Sequence, residues 1–566
     1  MYKQRQRIAT ADFPRAADAP FAFMPELAYL PAHPILFHAQ RLTLTMTRYV
    51  SLVFLALATA GGIVAQTSLP PDLDAYVERI RQKFEVPGLS LTIVKDGKVL
   101  LARGYGVKKM GSPAAVDAGT VFAIASNTKA FTATALALLV EEGNLAWDAP
   151  VIRYLPWFRL SNPYVTAELT VRDLLVHRSG LGLGAGDLLI WPGSDLNQRA
   201  IVQRLSNVPL STSFRSTYAY DNVLYLAAGE LIEAVSGQNW HEFIRTRILD
   251  RLDMRETGVR HSDIERLSNA ASAHARVNGV VRPVNPFVSE NSDAAGGIVT
   301  NARDIAKWLI VQLDSGRTAA GARLFEPSTT RELWSVVTPL PVGSPPAELQ
   351  AQRSNFSGYG LGFGLRDYRG YKLVSHTGGL SGFVSRIAMI PELRLGVAVF
   401  TNQESDEAYM ALTCHVLDYY IGAGDTDWIS AYARVKARSD SLMAARESRT
   451  FAARDSLSRP SLPLEKYAGD YEDAWYGTIS IAREEKALVM RFSHSPGMVG
   501  DLEHWQYDTF IVRWRDRELR ADAFVTFALT AAGKIERATM KAVSPATDFS
   551  FDFQDLLLKP APARKK

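Results

Sequence analysis

The chain has 566 residues, a formal net charge of +4 and a single cysteine, Cys414. At about 100–200 residues per domain, this length implies two or three domains. Hydrophobic residues at 47% and charged residues at 22% exclude a largely disordered chain, the small net charge gives nucleic-acid binding no support, and one cysteine excludes an internal disulfide framework, a thiolate zinc cluster or a CxxC redox site.

Residues 49–65 (YVSLVFLALATAGGIVA) carry no charge, follow Arg48 and close on small residues at Ala58-Thr59-Ala60 and Ala65. This pattern is that of a secretory signal peptide. It starts late in the chain. The expectation is therefore a signal peptide over 46–65 initiated at Met46, with 1–45 a start-site artefact or disordered tail. A cytoplasmic tail before an uncleaved signal anchor is the alternative. Export to the periplasm or medium follows from the first reading.

Residues 72–84 place Leu73, Tyr76, Val77, Ile80 and Phe84 at helical intervals. The apolar runs Leu89–Val94 and Val99–Ala102 flank Asp96-Gly97, a strong hairpin signal. A mainly helical, loop-rich stretch follows over 121–350. Strand patterns return at 371–375 and 383–401, where Phe383–Ile390 and Leu395–Thr401 flank Pro391–Arg394. A sheet built from both ends of this region, with a helical insertion between, gives an α+β fold rather than a βαβ array. Residues 426–463 suit a helical linker, broken by the prolines at 460 and 463. From 464 to 566 short strand-like runs recur: 477–482, 487–492, 509–514, 523–529, 535–543 and 549–553. These predict a small antiparallel barrel or sandwich.

The chemistry begins at Ser126-Asn-Thr-Lys129, followed by a helical run over 130–142 and Gly143. Positions i and i+3 share a helix face, so the Lys129 ammonium can reach the Ser126 hydroxyl. A serine is a poor nucleophile until a base takes its proton, and a buried lysine can serve as that base. Tyr220-Asp-Asn222 precedes a second helix pattern over 223–235. A tyrosine there can relay a proton, and an asparagine amide can hold a substrate carbonyl. His376-Thr377-Gly378-Gly379 precedes the 383–401 hairpin. A strand-edge N–H there, with the N–H of Ser126, can form an oxyanion hole.

Together, Ser126-x-x-Lys129, Tyr220-x-Asn222 and His376-Thr-Gly378 resemble the three motifs of serine beta-lactamases and penicillin-binding proteins. Leu174–Leu181 (LLVHRSGL), Ala295–Thr300 and Gly358–Gly364 resemble the class-C-type branch, which includes D,D-peptidases, D-aminopeptidases and many esterases. The resemblance covers roughly residues 70–425, and the region from 464 resembles the lipocalin-like barrel often fused to such hydrolases. It implies a beta-lactamase/transpeptidase-like fold: an antiparallel sheet flanked by helices, with a helical subdomain. It implies an acyl-enzyme on Ser126, proton transfer by Lys129 and Tyr220, and substrate contacts from Asn222, His376, Thr377, Gly378 and Gly379. No metal or cofactor is required. The expected activity is hydrolysis of amide bonds in small or D-amino-acid-containing peptides. A carboxylesterase or beta-lactamase on the same machinery, or a non-catalytic penicillin-binding or sensor protein, are the alternatives. The expected partner is a small-molecule or peptide substrate, not nucleic acid, nor a membrane beyond the signal segment.

The sequence departs from the family at two points. The third motif has His376 where beta-lactamases carry a lysine, so a fixed cation for a substrate carboxylate is missing. The stretch before Tyr220 lacks Pro-Gly. It holds Arg215, read as a solvated loop arginine in preference to a carboxylate ligand. His177 is expected to be a structural hydrogen-bonder, and Trp475, Trp505 and Trp514 to be barrel core or rim.

Overall fold

A computed structural model describes residues 68–562 apart from Lys486; the expectations for residues 1–65 lie outside the described residues. Helix α1 (Leu73–Lys83) buries Leu73, Tyr76, Val77 and Ile80 on one face. Strands β1 (Gly88–Lys95) and β2 (Lys98–Gly106) form the expected hairpin. Its two turn residues, Asp96 and Gly97, both have left-handed backbone, φ 52° and 75°, as a two-residue hairpin turn demands. Helices α2 (Thr128–Glu141) and α3 (Val223–Ser236) lie in the helical middle. The sheet then resumes with β3 (Thr338–Pro339), β4 (Ser357–Tyr359), β5 (Gly364–Tyr368), β6 (Tyr371–Leu380), β7 (Phe383–Ile390) and β8 (Leu395–Thr401), followed by α4 (Asp406–Ile421) and α5 (Trp428–Ala452).

These eight strands form one sheet in the order β2-β1-β8-β7-β6-β5-β4-β3. The first hairpin docks on the last strand, from Leu89 opposite Thr401 to Lys95 opposite Leu395. Strands β1, β7 and β8 are buried throughout, because helices cover both faces. On one face Leu89, Leu91, Val397 and Val399 pack against α1 and α4 with Leu412 and Val416. On the other, Ala398 and Phe400 meet Phe122, Phe131 and the residues of α2 and α3.

The last region is a closed eight-stranded antiparallel barrel. Its strands are β9 (Gly469–Asp473), β10 (Gly477–Glu484), β11 (Ala487–Phe492), β12 (Val499–Gln506), β13 (Thr509–Trp514), β14 (Ala523–Leu529), β15 (Ile535–Ala542) and β16 (Leu557–Pro560). Closure comes from β9 on β16, with Glu472 opposite Lys559. Tyr467, Tyr476, Phe492, Phe510, Trp514 and Phe527 are buried and meet edge to face, so aromatic rings fill this core. Trp475 and Trp514 are buried as expected, and Trp505 packs on Phe451 and Arg454 at the end of α5.

Two corrections follow for this region. Strands β9, β12 and β16 are additional to the sequence reading. Phe549–Phe553 is not a strand: it is a loop ending in a 3-10 turn at Phe553–Asp555. Its alternation of phenylalanine with Ser550 and Asp552 mimics period two. Here Ser550, Phe551, Asp552 and Phe553 are all buried, since the segment runs between the barrel and the hydrolase-like part.

Candidate active site

Ser126 lies in a 3-10 turn, Ala125–Asn127, directly before α2. Ala125 has φ 48°, a left-handed conformation costly for a residue with a Cβ and common where a fold holds a reactive group. The turn is tied to the sheet: Ser385 Oγ donates to the Ile124 carbonyl at 2.7 Å and accepts from Asn127 Nδ2 at 2.8 Å. Helix α2 is buried from Thr128 to Leu139, which carries Lys129 into the interior with no exposed surface.

Lys129 Nζ has three acceptors: Ser126 Oγ at 3.0 Å, Asn222 Oδ1 at 2.7 Å and the Ala295 carbonyl at 3.0 Å. It also lies 4.9 Å from the ring centre of Tyr220 and 5.1 Å from that of Tyr225. Burial pulls the ammonium down to about 7, against the opposing charges of Asp187 and Asp221. A neutral lysine keeps two N–H donors for Asn222 and Ala295 and turns its lone pair to Ser126, the geometry a general base needs.

Tyr220 and Asn222 lead into α3. Burial holds the Tyr220 phenol well above its usual pKa, against a lowering influence from the neighbouring Ser126, so it stays protonated. Asn222 Nδ2 donates to Asp187 Oδ2 at 2.8 Å. The segment rests on His177, whose Nδ1 accepts from the Asp221 N–H at 3.2 Å and whose carbonyl accepts from the Ala219 N–H at 2.9 Å. Burial lowers the His177 pKa, and the ring packs on Tyr220. This is the structural role expected from sequence.

His376, Thr377, Gly378 and Gly379 lie on β6 beyond its pairing with β5, which ends at Ser375 opposite Gly364. A Cβ on Gly378 would stand 2.1 Å from the Ile124 carbonyl oxygen, so the strand touches the turn that carries Ser126. Leu380 and Phe383 flank a two-residue turn and form a hydrogen-bonded pair; by the alternation of antiparallel ladders, the Gly379 N–H points away from β7. His376, Thr377 and Gly379 line the cleft with Ser126, Tyr220 and Asn222.

His376 differs from a direct substrate ligand. Its Nδ1–H donates to the Thr377 carbonyl at 2.6 Å, which leaves Nε2 to accept from the Tyr359 hydroxyl at 2.9 Å. Burial, then the charge of Lys129, push the ring down to about 3, so it is neutral. Both nitrogens are engaged inside the protein, and the ring acts as a wall. Arg215 is exposed, as expected, and lies outside the cleft, but it is not free: its guanidinium clamps the buried Asp173, with Nη2 2.5 Å from Oδ2, and Asp173 also holds Arg178.

The sequence reading missed several neighbours. Tyr359 lies in the Gly358–Gly364 motif and the Ala295 carbonyl in the Ala295–Thr300 motif, so both carried a signal. Asp187 did not, nor did Phe549, Ser550 and Phe551 of the barrel loop, which line the same cleft of about 980 Å³.

A family model described as Beta-lactamase matches residues 73–414, more than half of the chain. The chain belongs to the beta-lactamase family. A model described as a domain of unknown function, DUF3471, matches residues 453–560, the barrel region. Among curated relatives of this beta-lactamase-family chain, Unguisins hydrolase ungD of Aspergillus violaceofuscus is 28% identical over 441 residues, covering 73% of this chain and 77% of that protein. Protein flp of Staphylococcus aureus is 26% identical over 341 residues, covering 59% and 63%. The octameric penicillin-binding protein homologue from Pyrococcus abyssi shares the fold with a TM-score of 0.55 at 21% identity, over 86% of this chain and 99% of that one. D-amino acid amidase from Ochrobactrum anthropi does so with a TM-score of 0.50 at 24% identity, over 65% and 99%.

Proposed function

We propose that this serine hydrolase of the beta-lactamase family cleaves amide bonds in small or D-amino-acid-containing peptides through an acyl-enzyme on Ser126. The observation that carries the reading is Lys129: buried, lowered to about 7 and 3.0 Å from Ser126 Oγ. Lys129 takes the Ser126 proton as Oγ attacks the carbonyl, and the N–H groups of Ser126 and Gly379 receive the oxyanion. The Tyr220 phenol passes its proton to the leaving nitrogen and takes one back from the Lys129 ammonium, which returns to the neutral amine. Water then attacks the acyl-enzyme by the reverse route.

The third motif supports a scissile bond with no free carboxylate beside it, because His376 is neutral. Of the other cations lining the cleft, Arg276, Lys436 and Arg520 are engaged by Glu85, Asp440 and Glu404, and Lys83 is exposed with no ion pair among the described residues. The D-amino acid amidase that shares the fold fits the amide reading, and the unguisins hydrolase among the relatives fits a hydrolase. A carboxylesterase is the second reading, because a cation-free third motif that accepts an amide also accepts an ester. Export through residues 49–65 belongs to the proposal, and a mature N-terminus near Gly61 or Gln66 in secreted protein supports it.

The test compares D-amino acid amides, the corresponding free-acid dipeptides and p-nitrophenyl esters, with intact-mass trapping of the acylated chain. Turnover of amides with a transient adduct mapped to Ser126 is expected. Ester turnover alone replaces the amide reading with the esterase. No adduct with any of them, or activity surviving in Ser126→Ala, overturns the assignment of Ser126.

A further inference from the structure

One short segment of the C-terminal barrel reaches past the cleft to Asp187 and its turn. Phe549 meets the Tyr220 ring edge to face at 6.0 Å between centres. The Phe549 carbonyl lies over Gly184, where an added Cβ would come within 2.7 Å of it. One residue on, Ser550 Oγ donates to Asp187 Oδ2 at 2.9 Å. Next but one, the Asp552 carboxyl accepts from the N–H groups of Gly186 at 2.6 Å and Leu188 at 3.1 Å, the residues on either side of Asp187. Asp187 and Asp552 have no exposed surface.

Asp187 stands one amide away from the base. Lys129 Nζ donates to Asn222, so the Asn222 side chain must turn Oδ1 to it, and Nδ2 then faces Asp187. A carboxyl at that point fixes which way the amide sits. Asp187 Oδ1 has no partner of its own, so the carboxyl is held at Oδ2 by Asn222 and Ser550. A hydrogen-bonded line therefore runs from Ser126 through Lys129, Asn222 and Asp187 to Ser550 of the barrel.

We infer that Asp187, Ser550 and Asp552 are positioning residues for the Lys129 base, and that the barrel completes the hydrolase site by supplying two of them. The inference rests on the Ser126–Lys129 reading above. Asp552 sets the backbone of the 186–188 turn, Ser550 sets the Asp187 carboxyl, and that carboxyl sets Asn222 against Lys129. Burial also raises Asp187 to about 7, and the Asn222 and Ser550 donors oppose that rise. None of the three has to touch substrate for this role.

The readout is the second-order rate of Ser126 labelling by an alkyl fluorophosphonate, followed by intact mass on the full chain, because it reports nucleophile activation without a deacylation step. Ser550→Ala is expected to slow labelling roughly tenfold and Ser550→Thr to restore it to within about twofold, short of the ~100-fold that a full ångström of misplacement brings. Melting temperatures of the two variants are expected to match wild type. The isosteric Asp187→Asn, which keeps the volume, is expected to slow labelling as well. Wild-type rates in Ser550→Ala or in Asp187→Asn overturn the inference, as does a Ser550→Thr variant as slow as the alanine. Wild-type chain that labels at Ser126 while Ser550→Ala is unaffected refutes only this inference; failure of Ser126→Ala to abolish labelling refutes the reading beneath it.

Discussion

Lys129 shows how burial suits one side chain to the proposed role of base. An ammonium with no exposed surface loses its hydration, and the three acceptors around Nζ replace only part of it. Its titration near 7 fixes the sign of the pH dependence. The active form is the neutral amine, so Ser126 labelling is expected to rise about tenfold per pH unit below about pH 7 and to level above it. An ordinary lysine would keep the rate climbing to about pH 10; such a profile would exclude a base lowered to about 7. His376, neutral down to about 3, adds no limb to this curve. Lys129→Arg tests the same point without deleting the side chain. A guanidinium does not deprotonate, so labelling is expected to fall as far as in Lys129→Ala, by about 100-fold or more. Sequence spacing revealed the Ser126–Lys129 pair because i and i+3 must meet on a helix. It did not reveal the state of His376, which depends on burial and the charge of Lys129, nor its bond to Tyr359 from another strand.

At the scale of elements, the site is a strand edge pressed against a helix start. Gly378 and Gly379 are neighbours with opposite constraints. A side chain on Gly378 drives into the Ile124 carbonyl, whereas one on Gly379 meets no atom within 4 Å. Gly378→Ala is therefore expected to displace the Ser126 turn and cut fluorophosphonate labelling about 100-fold. Gly379→Ala is expected to keep the fold and melting temperature, and to act only where a substrate fills the space. Equal effects of the two would show that β6 does not set the nucleophile. The hairpin of β1 and β2, helix α1 and the β7–β8 pair were legible because each has its own periodicity and turn chemistry. Phe549–Phe553 misled because its alternation of phenylalanine with polar residues does not follow burial: Phe549 is exposed, whereas Ser550, Phe551, Asp552 and Phe553 are all covered, between two different surfaces.

Over the whole molecule, the barrel is fastened to the hydrolase part at several places. Arg204 donates to the Trp475 and Tyr476 carbonyls at 2.9 Å each, Asp195 pairs with His494 at 2.8 Å, and Arg282 pairs with Glu518 at 2.8 Å. Asp552 is the buried member of this set. Asp552→Ala leaves two buried N–H groups unpaired, at a cost of about 1–3 kcal/mol each, and is expected to lower the melting temperature by several degrees in a thermal scan. An unchanged melting temperature would mean that water replaces the carboxyl and that the attachment is loose. Arg215→Ala is expected to act on stability too, with KM unchanged, since the guanidinium holds Asp173 rather than substrate.

The sequence by itself determined the α+β class, the sheet closed from both ends, the barrel region and the Ser126, Lys129, Tyr220 and Asn222 constellation. Each of these is written in local spacing, turn residues or short motifs that the chain carries whatever its surroundings. Only the tertiary structure decided the neutral His376, the Arg215–Asp173 clamp and the line from Lys129 through Asn222 and Asp187 to Ser550. These depend on contacts between residues up to several hundred positions apart, and on burial, which changes the charge and partners of a side chain without leaving a mark on its neighbours in sequence.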